Sequence, residues 1–301
     1  MKQKYLITIV GPTAVGKTHV AVAMAKHFNT EILSADSRQF YREMKIGTAI
    51  PSAEQLAEVR HHFIGNRSVQ EYYNASLFEY EALELLTRLF DSYNMIIMTG
   101  GSGMYIDAVC NGIDDFPAVN ALIRENLKSA FQQNGMDWLR SQIQESDPVY
   151  YEQVDLNNPK RLLKALEIIT MTGRPYSSFL TQQKKERNFK VISTGLNIER
   201  KLLYQNISRR VDRMILAGLV EEAKSLHPFR KLNALNTVGY KEIFEYIEGK
   251  TTREEAVDLI KRHTRQYARR QLTWFRKNPD IRWFKPEEQE AMIQYITERT
   301  I

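Results

Sequence analysis

Residues 11–18 read "GPTAVGKT", and the six residues before them, Tyr5–Val10, read "YLITIV". The octet matches G-x-x-x-x-G-K-[ST]. An apolar, β-branched run before it and a helix-forming stretch after it, from about 17 to 28, complete a strand–loop–helix unit. Such a loop presents backbone N–H groups to phosphate oxygens, and the helix N-terminus adds a favourable dipole. Gly11, Pro12, Thr13, Ala14, Val15, Gly16, Lys17 and Thr18 are therefore expected to bind a polyphosphate. Lys17 supplies a point charge, and the Thr18 hydroxyl is the expected ligand for Mg²⁺.

Three more runs read as strands: "EILSA" (31–35), "NMIIMTG" (94–100) and "FKVISTGL" (189–196). Strands alternating with helices predict an α/β fold with a parallel, doubly wound sheet of the P-loop NTPase kind. In such sheets ligands sit at the carboxyl ends of the strands, which brings residues 11–18, Asp36 and 100–103 to one edge. Between 115 and 188 the strand signals vanish, and helical spacing is punctuated by Gly and Pro. The expected organisation is a core of 1–114 and 189–301 with a helical insertion at 115–188.

The composition narrows the class. Of 301 residues, 43% are hydrophobic, enough for two units with their own cores. Cys110 is the one cysteine, which excludes an intramolecular disulfide and a multi-cysteine zinc site and points to a reducing cytoplasm. The opening "MKQKYLITIV" carries an apolar run too short for the core of a signal peptide. No stretch approaches the roughly 18 apolar residues of a membrane span, so no membrane is expected, and a monomer is the expectation.

An ATP-hydrolysing site of this type carries an aspartate at the end of a second apolar strand. Here "MIIM" ends in Thr99-Gly100-Gly101, and the acid at a strand end is Asp36, in "SADSRQFY". Beside a phosphate site that carboxylate suits a general base or a metal ligand; elsewhere it would simply cap a turn.

Residues 261–277, "KRHTRQYARRQLTWFRK", contain seven Lys or Arg and no acid. Arg262, Arg265, Arg269 and Arg276 share a helical face by spacing. Ile260, Tyr267, Trp274 and Phe275 fall mostly elsewhere and are expected in the core. A basic face without interspersed acids fits a nucleic-acid backbone. The segment 182–190, "QQKKERNFK", is a second basic stretch. A small-molecule or nucleotide kinase shares the loop, the sheet and Mg²⁺, and stays open at this level; the basic helix is what it leaves unexplained.

Taken together, "GPTAVGKT", "SADSRQFYREMKIGTAIPS", "HHFIG", "YNASLFEYEA", "TGGSGMYIDA", "NNPKRLLKALEI", "TVGYKE" and "TRQYARRQLTWFRK" resemble, in order and over nearly the whole chain, the tRNA dimethylallyltransferase family. The resemblance implies transfer of a dimethylallyl group from dimethylallyl diphosphate to the N6 amine of the adenine 3′ of the anticodon. It implies an insertion that grips the tRNA anticodon stem-loop. Carried onto this chain, Asp36 becomes the general base, Thr18 meets diphosphate and Mg²⁺, and Lys17 and Arg210 contact the diphosphate. The same resemblance puts Asp36, Ser37, Arg38, Gln39, Ser102 and Arg124 at the tRNA. It adds Lys160, Arg161, Leu162, Leu163 and Lys164, then Gly239 and Tyr240, and finally Arg265, Arg269, Arg270 and Trp274. The chain departs from the family where Ser102 replaces a frequent Thr and Asn206 a frequent Arg. It also lacks the cysteines for the C-terminal zinc finger of some relatives.

Overall fold

Strand β1, Tyr5–Val10, is buried along its whole length, with Leu6, Ile7 and Ile9 fully enclosed. A strand buried on both faces must lie inside a sheet covered on both sides. In the computed structural model it does. It pairs in parallel with β4, Met95–Gly100, on one side and β5, Lys190–Leu196, on the other. Beyond β4 lie β2, Ile32–Ser34, and β3, His61–His62; beyond β5 lies β6, Arg282–Phe284. The sheet order is β3-β2-β4-β1-β5-β6, all parallel. The structure describes residues 3–300 except 115, 118, 119 and 182. Residue 115, where the insertion was expected to start, and 182, where the second basic segment starts, therefore lie outside it.

The polar residues inside the sheet are satisfied across the ladders. Thr99 Oγ1 donates to Ile9 O at 3.0 Å, and Thr194 Oγ1 to Thr8 O at 2.7 Å. This is how threonine sits in a buried strand without leaving a donor unpaired. β3 and β6, at two and three residues, carry no periodic signal of their own. They exist because each finds the open edge of a neighbouring strand.

The chain divides into two compact units: Met1–Asn111 with Glu186–Ile301, and Gly112–Lys185. The first contains the sheet with α1 (Lys17–His27), α2 (Ala53–Glu58), α3 (Ala75–Ser92) and α4 (Gly103–Asn111). The second contains α5 (Ala121–Ser146), α6 (Pro148–Gln153) and α7 (Pro159–Thr172). The first unit resumes with α8 (Arg200–Leu216), α9 (Leu219–Leu226), α10 (Tyr240–Ile247), α11 (Arg253–Phe275) and α12 (Gln289–Thr297).

Local chemistry sets the helix ends. Thr252 caps α11 through a reciprocal capping box with Glu255. Asn158 caps α7 and Pro159 opens it, the favoured order for a helix start. In the second unit Leu139, Ile143, Leu162, Ala165 and Ile168 make a core of their own. α5 breaks at Gly135, where the backbone takes φ 75°.

Candidate active site

The register places Val10 opposite both Gly100 and Gly195, so the loops after β1, β4 and β5 emerge side by side. β2 ends against the same edge: Ala35 N donates to Thr99 O at 2.7 Å, which brings Asp36 beside Gly100. The loops after β1, β2 and β4, with α8 and α11, line a cavity of about 850 Å³. Thr13, Ala14, Gly16, Lys17, Thr18, Asp36, Gln39 and Arg210 all line it. Gly11, Pro12 and Val15 are buried beneath the loop instead.

Lys17 curls back over its own loop. Its Nζ donates to Gly11 O at 2.9 Å and to Pro12 O at 2.8 Å. Burial, and then the Arg210 guanidinium, bring its pKa down to about 7, while Asp36 acts the other way. Arg210 is likewise lowered by burial and partly restored by Asp36. The cavity lining carries Lys17, Arg209, Arg210 and Arg213 against Asp36 and Asp212, a basic excess that suits an anionic ligand. The Arg210 Nη2 donates to Thr48 O at 3.4 Å.

Asp36 uses one oxygen to fold its own turn: Oδ1 accepts from Arg38 N at 2.9 Å and Gln39 N at 3.3 Å. The second oxygen remains for a ligand. Ser102 Oγ accepts from Ser37 N at 2.9 Å and so ties this turn to the end of β4. Tyr267 of α11 closes the group. Its hydroxyl is pushed up to about 12 by burial and the nearby Asp36, with a Ser102 hydrogen bond opposing.

The helix α11 enters the site in a way its spacing did not reveal. Tyr267 was expected in the core and instead lines the cavity, with Gln271 one turn further on. Gln271 Oε1 accepts from Thr13 N and its Nε2 donates to Gly101 O, both at 2.8 Å. One amide of the phosphate loop, that of Thr13, is thereby already paired within the protein. A Cβ on Gly101 would lie 2.2 Å from Gln271 Nε2, so only glycine lets this amide reach the loop. Arg209, Arg213 and Asn206 from α8 also line the cavity. The signal for the two arginines was available, since they sit one residue before and three after Arg210.

Several of the residues expected at the tRNA are buried or already paired within the protein. Tyr240 is fully buried, so its ring cannot touch a ligand, and the Gly239 N–H is taken by Glu242 Oε2 at 2.7 Å. Leu162 is fully buried in the second unit's core, with Leu163 packed against that core. Lys160 and Arg161 are the exposed residues of that segment, and Lys164 lies over the Phe116 ring. Arg124 is held by Glu167, Nε to Oε1 at 3.0 Å. Arg265 is not a free basic residue: it donates to Ser208 Oγ at 3.0 Å and stacks over the Tyr204 ring. Arg269 and Arg270 are exposed, as expected. Trp274 was expected in the core; it is 41% exposed, with Nε1 donating to Asp107 Oδ2 at 2.9 Å. Ser37, Arg38 and Gln39 are half-buried, with Arg38 Nη2 donating to Asn233 O at 3.2 Å.

Comparison with known proteins gives a consistent result. A family model described as IPP transferase matches residues 39–278. A tRNA dimethylallyltransferase of Christiangramia forsetii is 52% identical over 289 residues, covering 96% of each chain. A tRNA dimethylallyltransferase 1 of Bacteroides fragilis is 48% identical over 296 residues, covering 98% of each. Among solved structures, the full-length tRNA isopentenylpyrophosphate transferase of Bacillus halodurans superposes with a TM-score of 0.73. It is 35% identical, over 99% of this chain and 97% of that one. A eukaryotic dimethylallyltransferase solved acting on tRNA shares the fold, with a TM-score of 0.79 at 24% identity.

Proposed function

The chain belongs to the tRNA dimethylallyltransferase family, and on that premise we propose that it moves a dimethylallyl group from dimethylallyl diphosphate to the N6 amine of an adenine beside the anticodon of tRNA. The observation that carries this reading is the meeting of Lys17, Arg210 and Asp36 in one cavity at the carboxyl edge of the sheet. Strand β4 ends in glycines, with no metal-holding acid, which disfavours ATP hydrolysis.

In this reading the allylic C–O bond breaks and the diphosphate leaves with its electron pair. Lys17 and Arg210 neutralise the charge that develops on the departing oxygens. The new bond joins the allylic carbon to N6. That amine is a weak nucleophile because its lone pair is delocalised into the ring. Asp36 Oδ2 accepts its proton as the bond forms. The adenine has to leave its stack to reach the cavity.

Among the described residues no three His, Cys, Asp or Glu gather to hold a metal. That suits Mg²⁺, which keeps its waters and binds through one or two protein oxygens plus phosphate. The Thr18 hydroxyl, lining the cavity beside Lys17, would be its protein ligand. Bound there, the ion would offset negative charge on the diphosphate. The RNA partner would be the anticodon stem-loop, met by exposed Lys160 and Arg161 of the second unit and by Arg269 and Arg270 of α11. No helix among the described residues is long and apolar enough to cross a membrane. A reducing cytoplasm accords with the single Cys110.

The test is to incubate the purified protein with dimethylallyl diphosphate, Mg²⁺ and an anticodon stem-loop, and to digest the RNA for nucleoside mass spectrometry. Prenylated adenosine and released diphosphate are expected, with added ATP left intact. ADP formation without modified adenosine would overturn the reading.

A further inference from the structure

The loop at 45–49, in "MKIGTAIPS", forms one wall of the cavity through Ala49. Its backbone is held by a carboxylate from another element. Glu222, in the first turn of α9, accepts three consecutive amides: Oε2 takes Lys45 N at 2.9 Å and Ile46 N at 2.8 Å, and Oε1 takes Gly47 N at 2.9 Å. Three successive N–H groups on one anion form a backbone nest, here filled from within the protein. The Tyr240 hydroxyl donates to the same Oε1 at 2.6 Å. Its ring lies so close to the loop that a Cβ on Gly47 would come within 2.5 Å of it.

What the loop presents to the site is a carbonyl. Thr48 O accepts Arg210 Nη2 at 3.4 Å and Gln39 Nε2 at 3.3 Å, and Ala49 O accepts the same Gln39 nitrogen at 3.1 Å. A half-buried guanidinium follows its acceptors, because leaving a charged donor unpaired is costly. We propose that Glu222 and Tyr240 are positioning residues for the diphosphate site. They hold the 45–49 loop so that Thr48 O aims Arg210 into the cavity. The assignment also gives Tyr240 a role that its complete burial permits. It rests on the reading that this cavity takes a diphosphate.

The experiment is calorimetric titration of wild type, Glu222→Ala and Tyr240→Phe with inorganic diphosphate and Mg²⁺. A second titration uses an anticodon stem-loop, and circular dichroism checks the fold. Loss of the four hydrogen bonds should raise the diphosphate Kd about tenfold or more in Glu222→Ala. Tyr240→Phe, which keeps the ring against Gly47, should raise it a few-fold. The KM for dimethylallyl diphosphate should rise in step, and by more than the RNA Kd, which can shift because Gln39 hangs on the same loop. A role in stability alone would lower the melting temperature without moving KM. Folded variants that bind diphosphate like a competent wild type overturn the proposal. If Glu222→Ala does not fold, Tyr240→Phe decides the matter. A wild type that does not take diphosphate overturns this proposal and the reading of the cavity together.

Discussion

Gln271 of α11 accepts the backbone N–H of Thr13 through Oε1 at 2.8 Å, and so fastens the phosphate loop to a helix 258 residues away in sequence. Its other amide atom holds Gly101 O, which makes one buried side chain the strap between the ends of β1 and β4. Replacing it with Leu would leave a buried donor and acceptor unpaired. Gln271→Leu should cost about 1–3 kcal/mol or more in urea unfolding. The same change should weaken diphosphate binding, because the loop loses its tether. Wild-type stability in this variant would show that water replaces both bonds without loss.

Asp36→Asn keeps an oxygen for the Arg38 and Gln39 amides but removes the proton acceptor. RNA affinity should stay within a few fold, and single-turnover prenyl transfer should fall by roughly 10²–10⁴. Near-normal turnover would remove Asp36 from the role of base.

Lys17→Ala removes a cation from the cavity, and Thr18→Ala removes the hydroxyl proposed for Mg²⁺. Each should weaken dimethylallyl diphosphate binding or slow its transfer; for Lys17→Ala about tenfold or more is expected, the scale of a charge-assisted hydrogen bond. Equilibrium binding with and without Mg²⁺ separates the two. Thr18→Ala should lose the Mg²⁺ dependence, and Lys17→Ala should retain it.

Arg269 and Arg270, exposed on α11 as Arg262 also is, are the residues proposed to meet RNA phosphates. Changing both to Gln should make the log–log salt dependence of stem-loop binding shallower by about one to two units. Stability should move by less than about 1 kcal/mol, since the charges are exposed. Arg265→Gln should do the opposite, lowering stability through the lost Tyr204 stack and Ser208 bond while leaving the salt slope in place. An unchanged slope in the double variant would show that this face does not meet RNA.

The Cys110 thiol is pushed up to about 12, first by burial and then by Asp107, with Arg187 opposing. The thiolate is the reactive form, so raising the pKa lowers its fraction at a given pH. At pH 8 the native protein should react with a thiol reagent about a thousandfold more slowly than a free cysteine of pKa about 8.5. The rate should keep climbing beyond pH 9, where a free thiol levels off. Stopped-flow labelling across pH 7–10 reads both; a plateau near pH 9 would place the thiol in water.

The phosphate loop, Asp36 at a strand end, the α/β alternation and the family were legible in the chain itself. Each rests on residues that are contiguous or on a period that a short window reveals. The eight residues 11–18 carry their own turn, dipole and charge. β3 and β6 were not legible, because two or three residues have no period and pair only where a neighbour leaves an open edge. Helical spacing showed that Tyr267 and the arginines of α11 occupy different faces. It could not show which face would meet a ligand, because that depends on the element packed opposite. The tertiary structure put α11 across the ends of β1 and β4, which made Tyr267, expected in the core, a cavity wall and set Gln271 beside it. It also set Arg265 against α8 and Tyr240 beneath Glu222. A side chain's chemistry is written in the chain, but its solvent and its partners are supplied by segments far away in sequence. Burial and pairing, which decide whether a charge binds a ligand or holds the fold, therefore emerge only once those segments meet.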